Sequence, residues 1–261
     1  MNQILKILPE NIKSSLYHRF IYPPNERWHF LYENAPLEYA PGIRMRLDPK
    51  DRMHGQIAFL EYYEKLLSRK VVQLAKSRGG LFVDVGANIG YFSLLWAAQS
   101  PRNKVIAIEA SPRVLPLLKE NVQRNQLGEQ ISIVRAAAGK QEGEVEFDLG
   151  PESETGWGRI AKSRTEKTVK VPQVRIDDIV EEPINLLKVD VEGADTWVIQ
   201  GAEKLLRAKK IRHICFEHNE PRAAELGIAK EAPLSYLRQL NYELSMLGSD
   251  HWATPESRKS V

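Results

Sequence analysis

Asp84, Gly86, Gly90 and Glu109 stand in an order and spacing that can build a ligand site. Asp84 lies inside the apolar run Leu81 to Val85, where a charge without a partner would be costly. Gly86 and Gly90 follow as a G-x-x-x-G turn, and glycine lets backbone approach a ligand closely because it has no Cβ. The N–H groups that open the next helix can receive a carboxylate. Asp84 can accept from an ammonium. Glu109 ends a second apolar run, Lys104 to Ala110, 23 residues after Gly86. A doubly wound sheet places the acid that holds ribose hydroxyls at about that distance.

The turn lacks the G-x-G-x-x-G spacing used for pyrophosphate and the G-K-[ST] of a P-loop. A cofactor with a ribose and no phosphate therefore fits better than NAD or ATP. S-adenosylmethionine has that ribose, and its methionine end carries the amine and carboxylate that the turn can receive. The expected cofactor-binding residues are Asp84, Gly86, Asn88, Gly90, Glu109, Ala110, Ser111 and Ala137. The small run Ala136 to Gly139 leaves room for adenine.

Two further acidic segments end apolar strands, Lys188 to Gly193 and Phe216 to Glu220. Asp190, Glu192, Glu217, His218 and Asn219 can converge there, since open α/β sheets bind ligands at the carboxyl ends of their strands. The alternative is that Glu192 caps the following helix while His218 and Asn219 satisfy loop backbone. Asp190, His218 and Glu192 are the catalytic candidates. His218 has a suitable pKa for a base. Asp190 and Glu217 with His218 are candidate ligands for a Mg²⁺-like ion that polarises a hydroxyl. In Thr155 to Arg159, Trp157 between two glycines can form a lid over an acceptor, and Arg159 can bind it. A tryptophan that only anchors the loop is the alternative.

The segments DVGANIGYFSL, AIEASP and LLKVDVEGAD, in this order, resemble the FkbM family of S-adenosylmethionine-dependent methyltransferases. The resemblance covers roughly residues 56 to 242. It implies a class I methyltransferase fold, a Rossmann-like, doubly wound and mostly parallel seven-stranded sheet whose last strand is antiparallel. It also implies O-methylation of hydroxyls on natural products or sugars. Catechol-type methyltransferases are similar in carrying metal-binding acids at the ends of the corresponding two strands. This sequence departs from them by placing Glu217-His218-Asn219 at the second end.

The elements that must position these residues alternate as strands near 81–86, 104–110, 131–136, 184–190, 211–217 and 242–247. Helices are expected near 60–75, 89–99, 112–125, 194–207 and 231–240. The organisation read from this is an N-terminal extension over 1–55 as a possible cap, a methyltransferase domain over 56–253 and a tail over 254–261. The domain carries an insertion at about 144–174. The extension holds Tyr17, Phe20, Tyr22 and Trp28, and Ile4, Leu5, Ile7 and Leu8 could form an interfacial helix. A net charge of +3 over 261 residues gives no argument for nucleic acid. No apolar run is long enough for a membrane span, and no signal-peptide pattern is present, so the cytoplasm is the expected location. The single cysteine, Cys215, excludes an intramolecular disulfide and reads as core. The expected partner is a small-molecule acceptor, and the oligomeric state stays open. Two other readings remain, a catalytically silent cofactor-binding or interaction module and a nicotinamide oxidoreductase.

Overall fold

A computed structural model describes residues 28–256 together with Ile12 and Ser15. The expected interfacial helix, the aromatic residues Tyr17, Phe20 and Tyr22, and the tail beyond 256 lie outside the described residues. The chain opens with helix α1 (Phe30–Glu33), the hairpin β1 (Ala35–Leu37) and β2 (Ala40–Met45), and helices α2 (Arg52–Leu60) and α3 (Lys65–Ser77). The apolar pattern predicts one helix over 60–75. That helix forms as α3 and begins later, at Lys65, because Glu61 and Glu64 adopt left-handed backbone with φ of +68° and +41°, which separates it from α2.

The alternating core runs β3 (Leu81–Val85), α4 (Tyr91–Ala97), β4 (Lys104–Ile108), α5 (Leu115–Arg124) and β5 (Ile131–Val134). The insertion contributes β6 (Ala137–Ala138), β7 (Gly143–Asp148), β8 (Arg159–Ile160) and β9 (Thr168–Val174), which form a separate sheet in the order β6-β9-β7-β8. The chain continues through α6 (Ile176–Ile179), β10 (Ile184–Val189), α7 (Asp195–Gln200), α8 (Glu203–Arg207) and β11 (Ile214–Phe216). It closes with α9 (Glu220–Glu225), α10 (Ala232–Gln239), β12 (Tyr242–Leu247) and β13 (Asp250–Pro255). The helix expected over 194–207 is thus split, at Gly201, where any Cβ would lie 2.1 Å from the Gly139 carbonyl oxygen.

The main sheet has seven strands in the order β12-β13-β11-β10-β3-β4-β5. β3, β4, β5, β10 and β11 pair in parallel. β13 is antiparallel to both β11 and β12. The antiparallel strand is therefore Asp250–Pro255, which lies beyond the last expected strand at 242–247, and it inserts between β12 and β11. Crossovers place helices on both faces, so this is the expected doubly wound class I arrangement.

Strand β3 is buried on both faces. Phe82 packs with Leu94, Trp96, Val105 and Leu118 on one side, and Val83 and Val85 pack with Leu187, Val189 and Val198 on the other. Alternation puts Asp84 on the Phe82 side, beneath α4. Cys215 is buried in the core, as expected. Among the described residues no helix is long and apolar enough to cross a membrane.

Candidate functional site

A cavity of about 300 Å³ opens at the carboxyl ends of β3, β4, β10 and β11. One half is lined by Gly86, Asn88, Glu109, Ala110 and Ala136 to Ala138. The other is lined by Glu64, Lys188, Asp190, Glu192, Glu217 and Asp250. Phe147 and the loop Glu154 to Gly158 close it from the insertion, and Asp51 and Met53 contribute from the start of α2.

The glycine turn is built by close packing. Gly86 has φ +76°, and a Cβ there would fall 1.8 Å from the Asp190 carbonyl oxygen. Only glycine lets the end of β3 press against the end of β10 in this way. The amides of Gly86 and Ala87 both donate to the Ile108 carbonyl. The Asn88 amide donates to Glu109 Oε2 at 2.8 Å, and the Ser111 amide donates to Oε1 at 2.7 Å. These turn amides are thus engaged within the protein. Glu109 itself is placed as expected, on the cavity wall with its carboxylate fixed by backbone. Burial, opposed by those backbone donors, pushes its pKa up to about 7.

Asp84 departs from its expected ligand-facing position. It lies under α4, only 1% exposed, and is not among the cavity-lining residues. Its Oδ2 accepts from Ser93 Oγ at 2.6 Å. Burial raises its pKa, and the Lys188 ammonium opposes that rise. Asp84 therefore faces an internal cation and not a ligand amine. Gly90, with φ +87°, sits against Leu118 and starts α4. Ser111 is buried beside Glu109 and does not line the cavity, whereas Ala110 and Ala137 do.

At the second strand end Glu217 lines the cavity and His218 does not. Adjacent residues in extended chain point to opposite sides. The His218 ring instead faces the His251 ring, 6.2 Å away between centroids. The catalytic and metal roles expected of His218 are corrected by this orientation. Glu217 has its pKa pushed up to about 7, chiefly by burial and then by Asp190, Glu192 and Asp250. Asp190 Oδ2 is bonded to Lys188 Nζ at 2.9 Å. Glu192 is held by Asn219 Nδ2 at 3.0 Å and by Arg222, so it pairs across to α9 and does not cap α7. Asn219 instead caps α9 by accepting from the Arg222 amide.

The residues present do not fit the expected Mg²⁺-like ion. Among the described residues no group of three or more His, Cys, Asp or Glu side chains is arranged to hold a metal. His218 points away, and the ammonium of Lys188 already occupies the charge-compensating position beside Asp190. A hard divalent cation needs several oxygen ligands around it.

Trp157 lies at the mouth, 47% exposed and lining the cavity. The Arg222 guanidinium stacks on it at 5.2 Å from the ring centroid. The loop is also tied to the start of α2, since the Thr155 amide donates to Asp51 Oδ2 at 2.7 Å and Arg52 pairs with Glu154 at 3.1 Å. Arg159 does not reach the cavity. It pairs with Asp148 and Glu225, which corrects its expected role as an acceptor ligand.

Several lining residues escaped the sequence reading. Glu64 comes from the break between α2 and α3, and its pKa is pushed up to about 7, chiefly by burial. Asp250 comes from the start of β13, and burial raises its pKa. Lys188 lies in the segment LLKVDVEGAD, two residues before Asp190. The one available signal was chemical, a lysine inside an otherwise apolar strand.

The family model described as "Methyltransferase FkbM domain" matches residues 84–244. Methyltransferase sdnD of Sordaria araneosa is 26% identical over 172 residues, 53% of this chain and 66% of that protein. The hexuronic acid methyltransferase AglP of Haloferax volcanii is 28% identical over 129 residues, 48% of this chain and 51% of that protein. The chain thus spans about two thirds or less of these relatives' length. A crystal structure titled as methyltransferase FkbM from Methylobacillus flagellatus KT aligns with a TM-score of 0.48 and 13% identity, over 93% of this chain and 60% of that one.

Proposed function

This chain belongs to the FkbM methyltransferase family, and we propose that it methylates a hydroxyl oxygen of a small acceptor, sugar-like or natural-product-like, using S-adenosylmethionine. The observation that carries this reading is that Glu109 and Glu217 line the same cavity at the ends of β4 and β11. One carboxylate suits a ribose and the other suits an acceptor proton.

The donor set fits the cofactor. Glu109 would hold the ribose hydroxyls, Ala136 to Ala138 would leave space for the base, and Asn88 would offer its side-chain carboxamide. Glu64 and Asp250 would accept from the ammonium in place of Asp84. When bound, the cofactor would supply an electrophilic methyl group on a sulfonium.

An alcohol is a weak nucleophile until its proton is removed. Glu217 would take that proton onto a carboxylate oxygen. A pKa of about 7 suits the task, because a general base works best near the operating pH. Asp190, anchored by Lys188, would orient the hydroxyl. Trp157 and Phe147 would exclude water and hold the acceptor, since in-line transfer needs the reacting atoms within about 3–3.5 Å. Asp51 and Met53 support the N-terminal segment as part of the cap.

The test is incubation with methyl-labelled S-adenosylmethionine and a panel of sugars and hydroxylated natural products, with product NMR. Label on oxygen is expected. Label on nitrogen or carbon would overturn the reading. Cofactor binding with no transfer to any hydroxylated compound would favour a silent binding module.

A further inference from the structure

Lys188 is the least expected residue of the central sheet. It sits in β10 among Ile184, Leu186, Leu187 and Val189, all fully buried, and is itself only 4% exposed. Burying an ammonium costs several kcal/mol even after relaxation, and an apolar residue of similar volume often serves stability as well or better. Stability alone is therefore a poor account of this lysine.

Its surroundings supply a better one. Across the parallel register Lys188 is the partner of Asp84 on β3. Its Nζ donates to Asp190 Oδ2 at 2.9 Å, and it lies 5.1 Å from the centroid of the Phe92 ring on α4. The side chain of Lys188 is 5% exposed, while that of Asp190 is 30% exposed. The lysine is thus behind and the carboxylate in front, facing the cavity. Although burial works against its charge, Asp190, Asp84 and Glu64 hold Lys188 above the ordinary lysine range. The same ammonium also acts on Glu217 and Asp250. One cation therefore serves the acid of β3, the wall of the cavity and the group before α3.

We propose that Lys188 is the positioning residue of the transfer site, a permanent internal cation that fixes the Asp190 carboxylate at the cavity wall and supplies the charge compensation a divalent ion gives in a metal-dependent site. The inference rests on the reading that the cofactor binds in this cavity.

The test needs no acceptor. Calorimetry measures the dissociation constants of S-adenosylmethionine, which carries a sulfonium, and S-adenosylhomocysteine, which does not. Lys188→Met removes one positive charge, so the preference for the sulfonium ligand should rise at least threefold over wild type. Lys188→Arg should leave the preference within a factor of two. A purely structural role would weaken both ligands together. An unchanged preference in Lys188→Met overturns the proposal. Should that variant not fold, Asp190→Asn removes a negative charge and should lower the preference at least threefold, with no change counting against the proposal. If wild type binds neither ligand, the reading of the cavity falls and this inference falls with it.

Discussion

Glu109 makes cofactor binding depend on pH in a way that can be calculated. In the free protein its pKa is pushed up to about 7, chiefly by burial. Ribose hydroxyls donate to the ionised form, so binding selects it. The ionised fraction is about one eleventh at pH 6 and about ten elevenths at pH 8, so affinity should change about tenfold, or about 1.4 kcal/mol. Calorimetry of S-adenosylhomocysteine at both pH values should show this. Titration in buffers of different ionisation enthalpy should show proton release at pH 6 and little at pH 8. Glu109→Gln isolates the residue, because Glu64 and Glu217 also have pKa values of about 7. That variant should lose about 1.5–3 kcal/mol of affinity, the scale of hydrogen bonds to a charged acceptor, and show a flatter pH dependence. A flat wild-type profile without proton release, or an unchanged slope in Glu109→Gln, would show that Glu109 does not hold the cofactor.

Two further outcomes follow from the same geometry. Glu64, Glu109 and Glu217 have folded-state pKa values of about 7, above the ordinary 4.5. Such groups favour the folded state below the lower value, and that contribution is lost as pH rises through the higher one. The melting temperature of the ligand-free protein should therefore fall between pH 5 and pH 8, and a rise over that window would contradict the burial argument. Trp157→Ala removes an exposed stack with Arg222, worth about 0.5–1 kcal/mol, so melting should drop by only about 1–4 °C. The acceptor KM should rise while S-adenosylhomocysteine affinity stays within about twofold. A larger melting loss with unchanged KM would make Trp157 a simple anchor.

The glycine turn, Glu109 and the strand ends were legible because each is encoded locally, by a glycine interval or an acid closing an apolar run. What was not legible depended on facing and on distant chain. Asp84 is in the predicted strand, but alternation with Phe82 turns it under α4 and away from the cavity. Glu217 and His218 are neighbours on opposite sides, and composition could not choose between them. Arg159 pairs outward once β8 joins β7. Glu64 arrives from a left-handed break between two helices, which has no periodic signature. Strand β13 reads Asp250-His251-Trp252-Ala253-Thr254-Pro255, too polar to stand out until β11 and β12 flank it.

Glu217 is proposed as the base in a cavity shared with the cofactor. The most direct measurement is kcat of Glu217→Gln with a hydroxylated acceptor that the wild type methylates, alongside calorimetry of S-adenosylhomocysteine. Gln keeps the shape and cannot take the proton. Because general-base contributions are typically about 100- to 10,000-fold, kcat should fall by at least about 100-fold. S-adenosylhomocysteine affinity should stay within about threefold, and His218→Ala should keep most of its activity. Near-normal kcat in Glu217→Gln, with His218→Ala inactive but folded, would return the catalytic role to the histidine.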